Sequence, residues 1–270
     1  MGPDVPRSRS IASGLSTHAV NTVIAVSMLL YVLLAIAAHY SLRTNAFDLS
    51  LFDYAMWNTV HGRPGWIPFV GHTIFSEHFM PILLLLAPIY SVWQSPVALI
   101  VFQLCAVGLA ALLLSAVAKT VHLEPIARAA IVGAFLLSRA SFFATTSFFY
   151  PESLQPVFVF GCVLAWRLRR RLVYWICLVL LLSTKEDAAI YVAAFAAIRF
   201  LIDSPLRDSV ITFAVAVVWL LFAVAVAIPH SRAIDGLPAL NPFLHTRYAT
   251  GGATSRPARS SLGFSVFHRF

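Results

Sequence analysis

The chain has 270 residues, 60% of them hydrophobic and only 11% charged, with a formal net charge of +8 and a mean hydropathy of +0.83. Soluble globular domains are closer to half apolar and a quarter charged, so the composition excludes an ordinary soluble domain and indicates a polytopic membrane protein. The basic excess does not indicate nucleic acid, because the positive residues are scattered between apolar runs and form no continuous patch.

A cytoplasmic N-terminal segment, 1–19, carries Arg7 and Arg9. The first spanning helix follows over 20–39, and its stretch Asn21–Ala38 holds no charge. That run is long enough to cross about 30 Å of hydrocarbon. It is too long for a signal-peptide core and lacks a small-residue cleavage site. Next comes the long loop 40–95, which opens on NAFDLSLFDYAMWNTVHGRP and closes on an apolar piece, Phe79–Trp93, broken by Pro81 and Pro88. Six further spans are expected at 96–118, 126–143, 153–167, 172–184, 188–202 and 208–229. The fifth and sixth of the seven are short and are expected to be tilted, broken or sheltered by neighbours. Residues 230–270 read as a polar, Arg- and Ser-rich flexible tail. Cys105, Cys162 and Cys177 all fall in apolar runs, without disulfide or metal-ligand spacing, and are expected to be core thiols.

Charge bias sets the sidedness. If Phe79–Trp93 lies flat in the interface, one face receives Arg7, Arg9, Lys119, Arg128, the Arg167–Arg171 cluster, Arg199 and Arg207. The other receives only Arg43, Arg63, Arg139 and Lys185 before the last span. The positive-inside rule then places the N-terminus in the cytoplasm of a cell-membrane protein. Asp48, Asp53, Glu77, Glu152, Glu186 and Asp187 all fall on the extracytoplasmic side. A set of carboxylates on one face, each beside an apolar run, is the pattern of a site at a membrane surface.

Each motif also has a plain structural reading. Asn45 or Asp48 could cap a short helix. Asp53 lies a full turn further in, between Phe52 and Tyr54, where apolar surface disfavours its charged form and suits it to take a proton from a hydroxyl. His72, Glu77 and His78 in GHTIFSEHF are chemically able to hold a divalent metal ion, but their spacing matches no strong signature, and polar anchoring of the next helix is the plainer reading. Glu152 in FFYPES suits a helix N-terminus, while Arg139 needs an anionic partner, either Glu152 or a lipid phosphate. In STKEDAAIY, Lys185, Glu186 and Asp187 stand consecutively between apolar runs. Thr184 could cap the following helix, but three charges so placed are costly unless paired or facing water, which favours a site. The chain carries no Gly-rich phosphate loop and no serine nucleophile motif.

FDLSLFDYAMWNTVHGRP, SEHFMPILLLLAPIY, FFYPES and TKED together resemble a bacterial polytopic membrane family of unknown function. That family is similar in layout to the GT-C glycosyltransferases, among them protein mannosyltransferases and the aminoarabinose transferase of lipid A. The resemblance covers roughly 20–230. It implies an all-α, GT-C-like polytopic transmembrane helical bundle of about seven spans, with interfacial helices in the first extracytoplasmic loop. It further implies an acidic motif just after the first span, where Asp48 and Asp53 stand as catalytic candidates, and a polyprenyl-phosphate sugar donor. Arg139 and Lys185 are the positional candidates for the donor phosphate; Glu152, Glu186, Asp187 and His78 complete the substrate-binding set. Phe-Asp-Leu replaces the adjacent Asp-Glu of many such enzymes. They also continue with more spans, so the tail suggests a truncated or frameshifted product.

The expected function is therefore transfer of a sugar from a lipid-linked donor to an extracytoplasmic acceptor. The alternatives are a transporter or lipid-binding membrane protein, against which stand the lack of an internal repeat and the one-sided charges, and a non-catalytic relative that keeps the fold.

Overall fold

The computed structural model describes residues 7–41, 46–202 and 206–238. Almost everything is helical: α1 Arg7–Tyr40, α2 Ala46–Val60, α3 Ile82–Val92, α4 Pro96–Thr120, α5 Pro125–Leu136, α6 Arg139–Thr146, α7 Gln155–Arg167, α8 Arg171–Thr184, α9 Ala188–Ile202, α10 Leu206–Phe222 and α11 Ile228–Ile234. The five residues Ala223–Ala227 between α10 and α11 form a π-helical segment, so the last two helices run on as one. A two-residue hairpin, β1 Trp66–Ile67 with β2 His72–Thr73, is antiparallel with Trp66 opposite Thr73.

Among the described residues three helices are long and apolar enough to cross a membrane: His18–Tyr40, Pro96–Thr120 and Leu206–Ile234. The α5–α6 pair makes a fourth candidate if its two parts form one span, but it bends by 54°. The span expected over 126–143 is therefore broken. Ser138 caps α6, its Oγ accepting from Ser141 N–H at 3.2 Å. The Tyr31 hydroxyl of α1 donates to the Leu136 carbonyl that the break leaves open. The α7, α8 and α9 helices have only 13, 14 and 15 residues. At 1.5 Å per residue each is about 20–22 Å long, short of the roughly 30 Å of hydrocarbon.

The helices pack around two apolar cores. One joins α1–α5 and takes in Met56, Met80, Leu83, Val107, Val132, Leu136 and Phe149; the other joins α7–α10 through Cys162, Leu178, Leu182, Val192 and Ala216. Cys162 is buried as expected, but Cys105 is exposed on α4. The long loop is a folded cap. Asn58 Nδ2 donates to Trp66 O at 3.0 Å, fastening α2 to the hairpin, and Thr59 Oγ1 accepts from Gly65 N–H at 2.8 Å. Gly65 has φ +67, and a Cβ there would meet the Phe75 ring at 2.7 Å, so only glycine fits that turn.

Helix α3 is 11 residues long, about 16 Å, shorter than the roughly 30 Å of hydrocarbon. Proline at N1 and a serine cap start α4 directly afterwards, Ser95 Oγ accepting from Val97 N–H. Asn45, one of the two expected caps of α2, lies outside the described residues. Asp48 stands in the first turn of α2, where its charge complements the helix dipole. Residues 230–234, assigned above to the polar tail, belong to α11; 239–270 lie outside the described residues.

Candidate functional site

Chain direction alone places the ends of the short helices, and the contacts between them build an acidic cluster at one end of the bundle. Gln103, fully buried on α4, donates to Phe148 O at 3.3 Å and accepts from Tyr150 N–H at 2.9 Å. This holds the FFYPES stretch in place. Glu152, in the turn before α7, takes the ammonium of Lys185, with Nζ 2.6 Å from Oε1. Glu186 receives His78 Nδ1 at 2.8 Å and Phe79 N–H at 3.0 Å. The loop 40–95 therefore closes over the turn between α8 and α9. Gln155 hydrogen-bonds Asp187 and donates to Thr184 Oγ1 at 3.2 Å. Thr184 does not cap α9: it ends α8, its hydroxyl donating to Leu181 O at 2.6 Å. Measured along the 14 residues of α8, the charged turn stands about 21 Å from that helix's arginine-bearing start.

The electrostatics follow from this packing. Burial is the largest influence on Lys185 and pulls its pKa down. The hydrogen bond to Glu152 and the fields of Glu152, Asp187 and Glu186 outweigh it, so the ammonium titrates above its ordinary value. Burial likewise pushes Glu186 up, yet His78 and Phe79 N–H win and hold it below the usual carboxylate range. Its neighbour Asp187 moves the other way: burial raises it, the charges of Glu152 and Glu186 add, and Lys185 only partly opposes. Adjacent carboxyls driven apart in pKa is how one site supplies both an acid and a base. Two carboxylate oxygens, Glu152 Oε2 and Asp187 Oδ1, are buried without a hydrogen-bond partner. Buried acceptors of this kind ask for a donor.

The two aspartates of α2 part company. Five residues apart, they point about 140° from one another around the helix. Asp48 acts on the Tyr150 hydroxyl together with Glu152 and Lys185; burial first and then the two carboxylates raise that phenol's pKa. Asp53 turns toward α3, its Oδ1 accepting from Tyr90 OH at 2.6 Å. Burial raises the Asp53 pKa, partly offset by that bond, and burial with the Asp53 charge raises Tyr90. Tyr90 also lines a nearly apolar groove of about 550 Å³ between α2, α3 and α4, walled by residues such as Met56, Leu86, Trp93, Leu99, Phe102 and Cys105.

The other expected partners are distributed differently. Arg139 is exposed at the start of α6, its guanidinium 5.3 Å from the Phe143 ring, and Glu152 is paired with Lys185 instead. His72 Nε2 lies 3.5 Å from Glu77, while His78 serves Glu186, so these three do not converge. Among the described residues no group of three or more His, Cys, Asp and Glu side chains could hold a metal ion.

Sequence reasoning missed Asp235. Its Oδ2 accepts from Thr73 N–H and Thr73 OH, both at 2.8 Å, and from Ser76 OH. These bonds overcome burial and hold it below the usual carboxylate range. Arg232 adds a bond to Ser76 O at 3.1 Å. Together they strap the end of α11 to the capping loop. The only signal in the sequence was an acidic residue shortly after the last apolar run.

A family model described as "Predicted membrane protein (DUF2079)" matches residues 38–254. No curated protein and no solved structure was found to match the chain.

Proposed function

The chain belongs to this family of membrane proteins, and from that premise we propose that it is a GT-C-like glycosyltransferase working at the extracytoplasmic face of the cell membrane. In this reading α7, α8 and α9 count with the longer helices as spans, seven in all, and the N-terminus is cytoplasmic. The supporting observation is the pair of unpartnered buried acceptors, Glu152 Oε2 and Asp187 Oδ1, at the charged turn; the apolar groove between α2, α3 and α4 is a separate feature. Hydroxyl groups of a sugar supply the missing donors, and the groove suits the hydrocarbon of a polyprenyl-phosphate carrier.

Asp48 takes the proton of the acceptor hydroxyl in this scheme, because it shares the field of Tyr150, Glu152 and Lys185. A carboxylate acting alone as base gives inversion at the sugar carbon: the acceptor oxygen bonds to that carbon, and the polyprenyl phosphate departs with the bonding electrons. Lys185 supports the leaving phosphate and Glu186 holds His78 in position. Asp53, fixed by Tyr90 beside the groove, orients the lipid end of the donor. Arg139, away from the ion-paired cluster, is assigned to a lipid phosphate at the surface.

Purified full-length protein with labelled polyprenyl-phosphate sugars tests the scheme by release of polyprenyl phosphate. Loss of a general base lowers the rate by about 10²–10⁴-fold, so Asp48→Asn should abolish measurable transfer while Asp53→Asn weakens donor binding. Wild-type rates in both variants would end the assignment.

A further inference from the structure

At the end of the bundle opposite the acidic cluster lies a cavity of about 690 Å³, formed by the α7–α8 turn, the end of α9 and the start of α10. Arg167, Arg169, Arg171, Arg199 and Arg207 line it, against one lining carboxylate, Asp208. Asp208 is engaged by Arg171 at 3.3 Å, and Arg167 donates to Thr120 O at 3.0 Å. Arg199 is the deep cation: it is buried, with its guanidinium 4.8 Å from the Tyr174 ring and 5.6 Å from Trp166. Arg169 and Arg207 are exposed.

The positive-inside rule accounts for arginines on this side. It does not account for their convergence from separate helix ends onto one concavity with a buried guanidinium beneath. Nor does it account for Arg169, which has φ +54. Arg169 N–H bonds to Trp166 O and Arg170 N–H to Ala165 O, the helix-ending turn in which glycine takes the left-handed position without steric cost. An arginine stands there instead.

We propose that this cavity binds the phosphate of an anionic phospholipid headgroup from the leaflet at the arginine-rich end. Guanidinium groups match phosphate oxygens in charge and fork geometry, and basic pockets between membrane helices hold anionic headgroups. A lipid is favoured over a free phosphate by the walls: Ile202 and Ile211 line the cavity and are themselves exposed, 62% and 38%. They lead onto the apolar outer faces of α9 and α10, where acyl chains would lie.

Native mass spectrometry of the full chain in detergent, titrated with phosphatidylglycerol, phosphatidylcholine or inorganic phosphate, reads the binding. Phosphatidylglycerol should bind in preference to phosphatidylcholine. Arg207→Gln should weaken it about five-fold, and Arg207→Gln with Arg169→Gly about twenty-five-fold, at about five-fold per arginine. The thermal midpoint should not fall, because glycine relieves the left-handed position at 169. Arg63→Gln, in the capping loop, should change nothing. Equal binding of the two lipids, or wild-type binding by the double variant, would overturn the site. Inorganic phosphate binding as tightly as phosphatidylglycerol would overturn the lipid.

Discussion

Lys185→Met is the sharpest probe of the acidic cluster, because this one ammonium serves three carboxylates. Its Nζ lies 2.6 Å from Glu152 Oε1, with 19% and 26% of the two side chains exposed, and Asp187 and Glu186 also act on it. Removing one partner of a fully buried pair costs about 3–5 kcal/mol, whereas an exposed pair is worth about 0.2–1 kcal/mol. A pair this sheltered belongs between those limits, so Lys185→Met should cost about 2–3 kcal/mol. Glu152→Gln removes one carboxylate of three and leaves the lysine two others, so it should cost about 1 kcal/mol. In the double variant the losses should not add, since the pair is one interaction. Unfolding in mixed dodecyl maltoside and sodium dodecyl sulfate micelles, followed by the fluorescence of the six tryptophans, measures all three. The sign with pH follows from the raised Lys185 value: its contribution is complete below about 10.4 and disappears as pH rises through the higher folded value. Wild type and Lys185→Met should therefore converge in strong alkali. A Glu152→Gln cost equal to or above that of Lys185→Met would refute the shared-cation argument.

Three further outcomes are expected. Asp187→Asn should leave neutral-pH stability unchanged or raise it by up to about 1 kcal/mol, because burial disfavours the charge it removes, while sugar transfer falls; a large loss of stability in the same micelle titration would count against this. For wild-type Asp187 the raised value means its favourable contribution is present below about pH 3.9 and lost as pH rises through the folded value. Asp235→Ala deletes the acceptor of three bonds between α11 and the capping loop, so amide exchange across residues 72–79 should accelerate at neutral pH. In wild type the same strap should loosen as pH falls below the depressed Asp235 value, and unchanged exchange in the variant would dismiss the strap. Gly65→Ala should cost more than Gly62→Ala: both have positive φ, but only at 65 does a Cβ meet the Phe75 ring. Thermal midpoints of the two variants, compared side by side, decide it.

Much of the architecture was legible from the run lengths of apolar residues. A membrane protein is a chain whose hydrophobic stretches outnumber any soluble core. Counting charges across the turns put Asp48, Asp53, Glu77, Glu152, Glu186 and Asp187 on one expected side; of these the structure brings Glu152, Glu186 and Asp187 around Lys185, with Asp48 acting on Tyr150 nearby. Within Phe79–Trp93 the structure forms one 11-residue helix, α3. The break in the 126–143 span was not legible, because it depends on Ser138 and on a hydroxyl from α1 that takes the freed Leu136 carbonyl. No local pattern names a partner 105 residues away.

The same reasoning divides the candidate site. Residue types and their order along the chain are properties of the sequence, and so the carboxylates could be singled out as candidates from the sequence by itself. Pairing is a property of packed helices: Glu152 chose Lys185 over Arg139, His78 went to Glu186 and away from Glu77, and Asp53 turned to Tyr90 while Asp48 faced Tyr150. Asp235 entered only because α11 ends beside the hairpin. A helix reports which of its own faces is apolar, but the angle at which it meets its neighbours is decided by burial summed over the whole bundle. Those angles bring two distant charges to within 3 Å of each other.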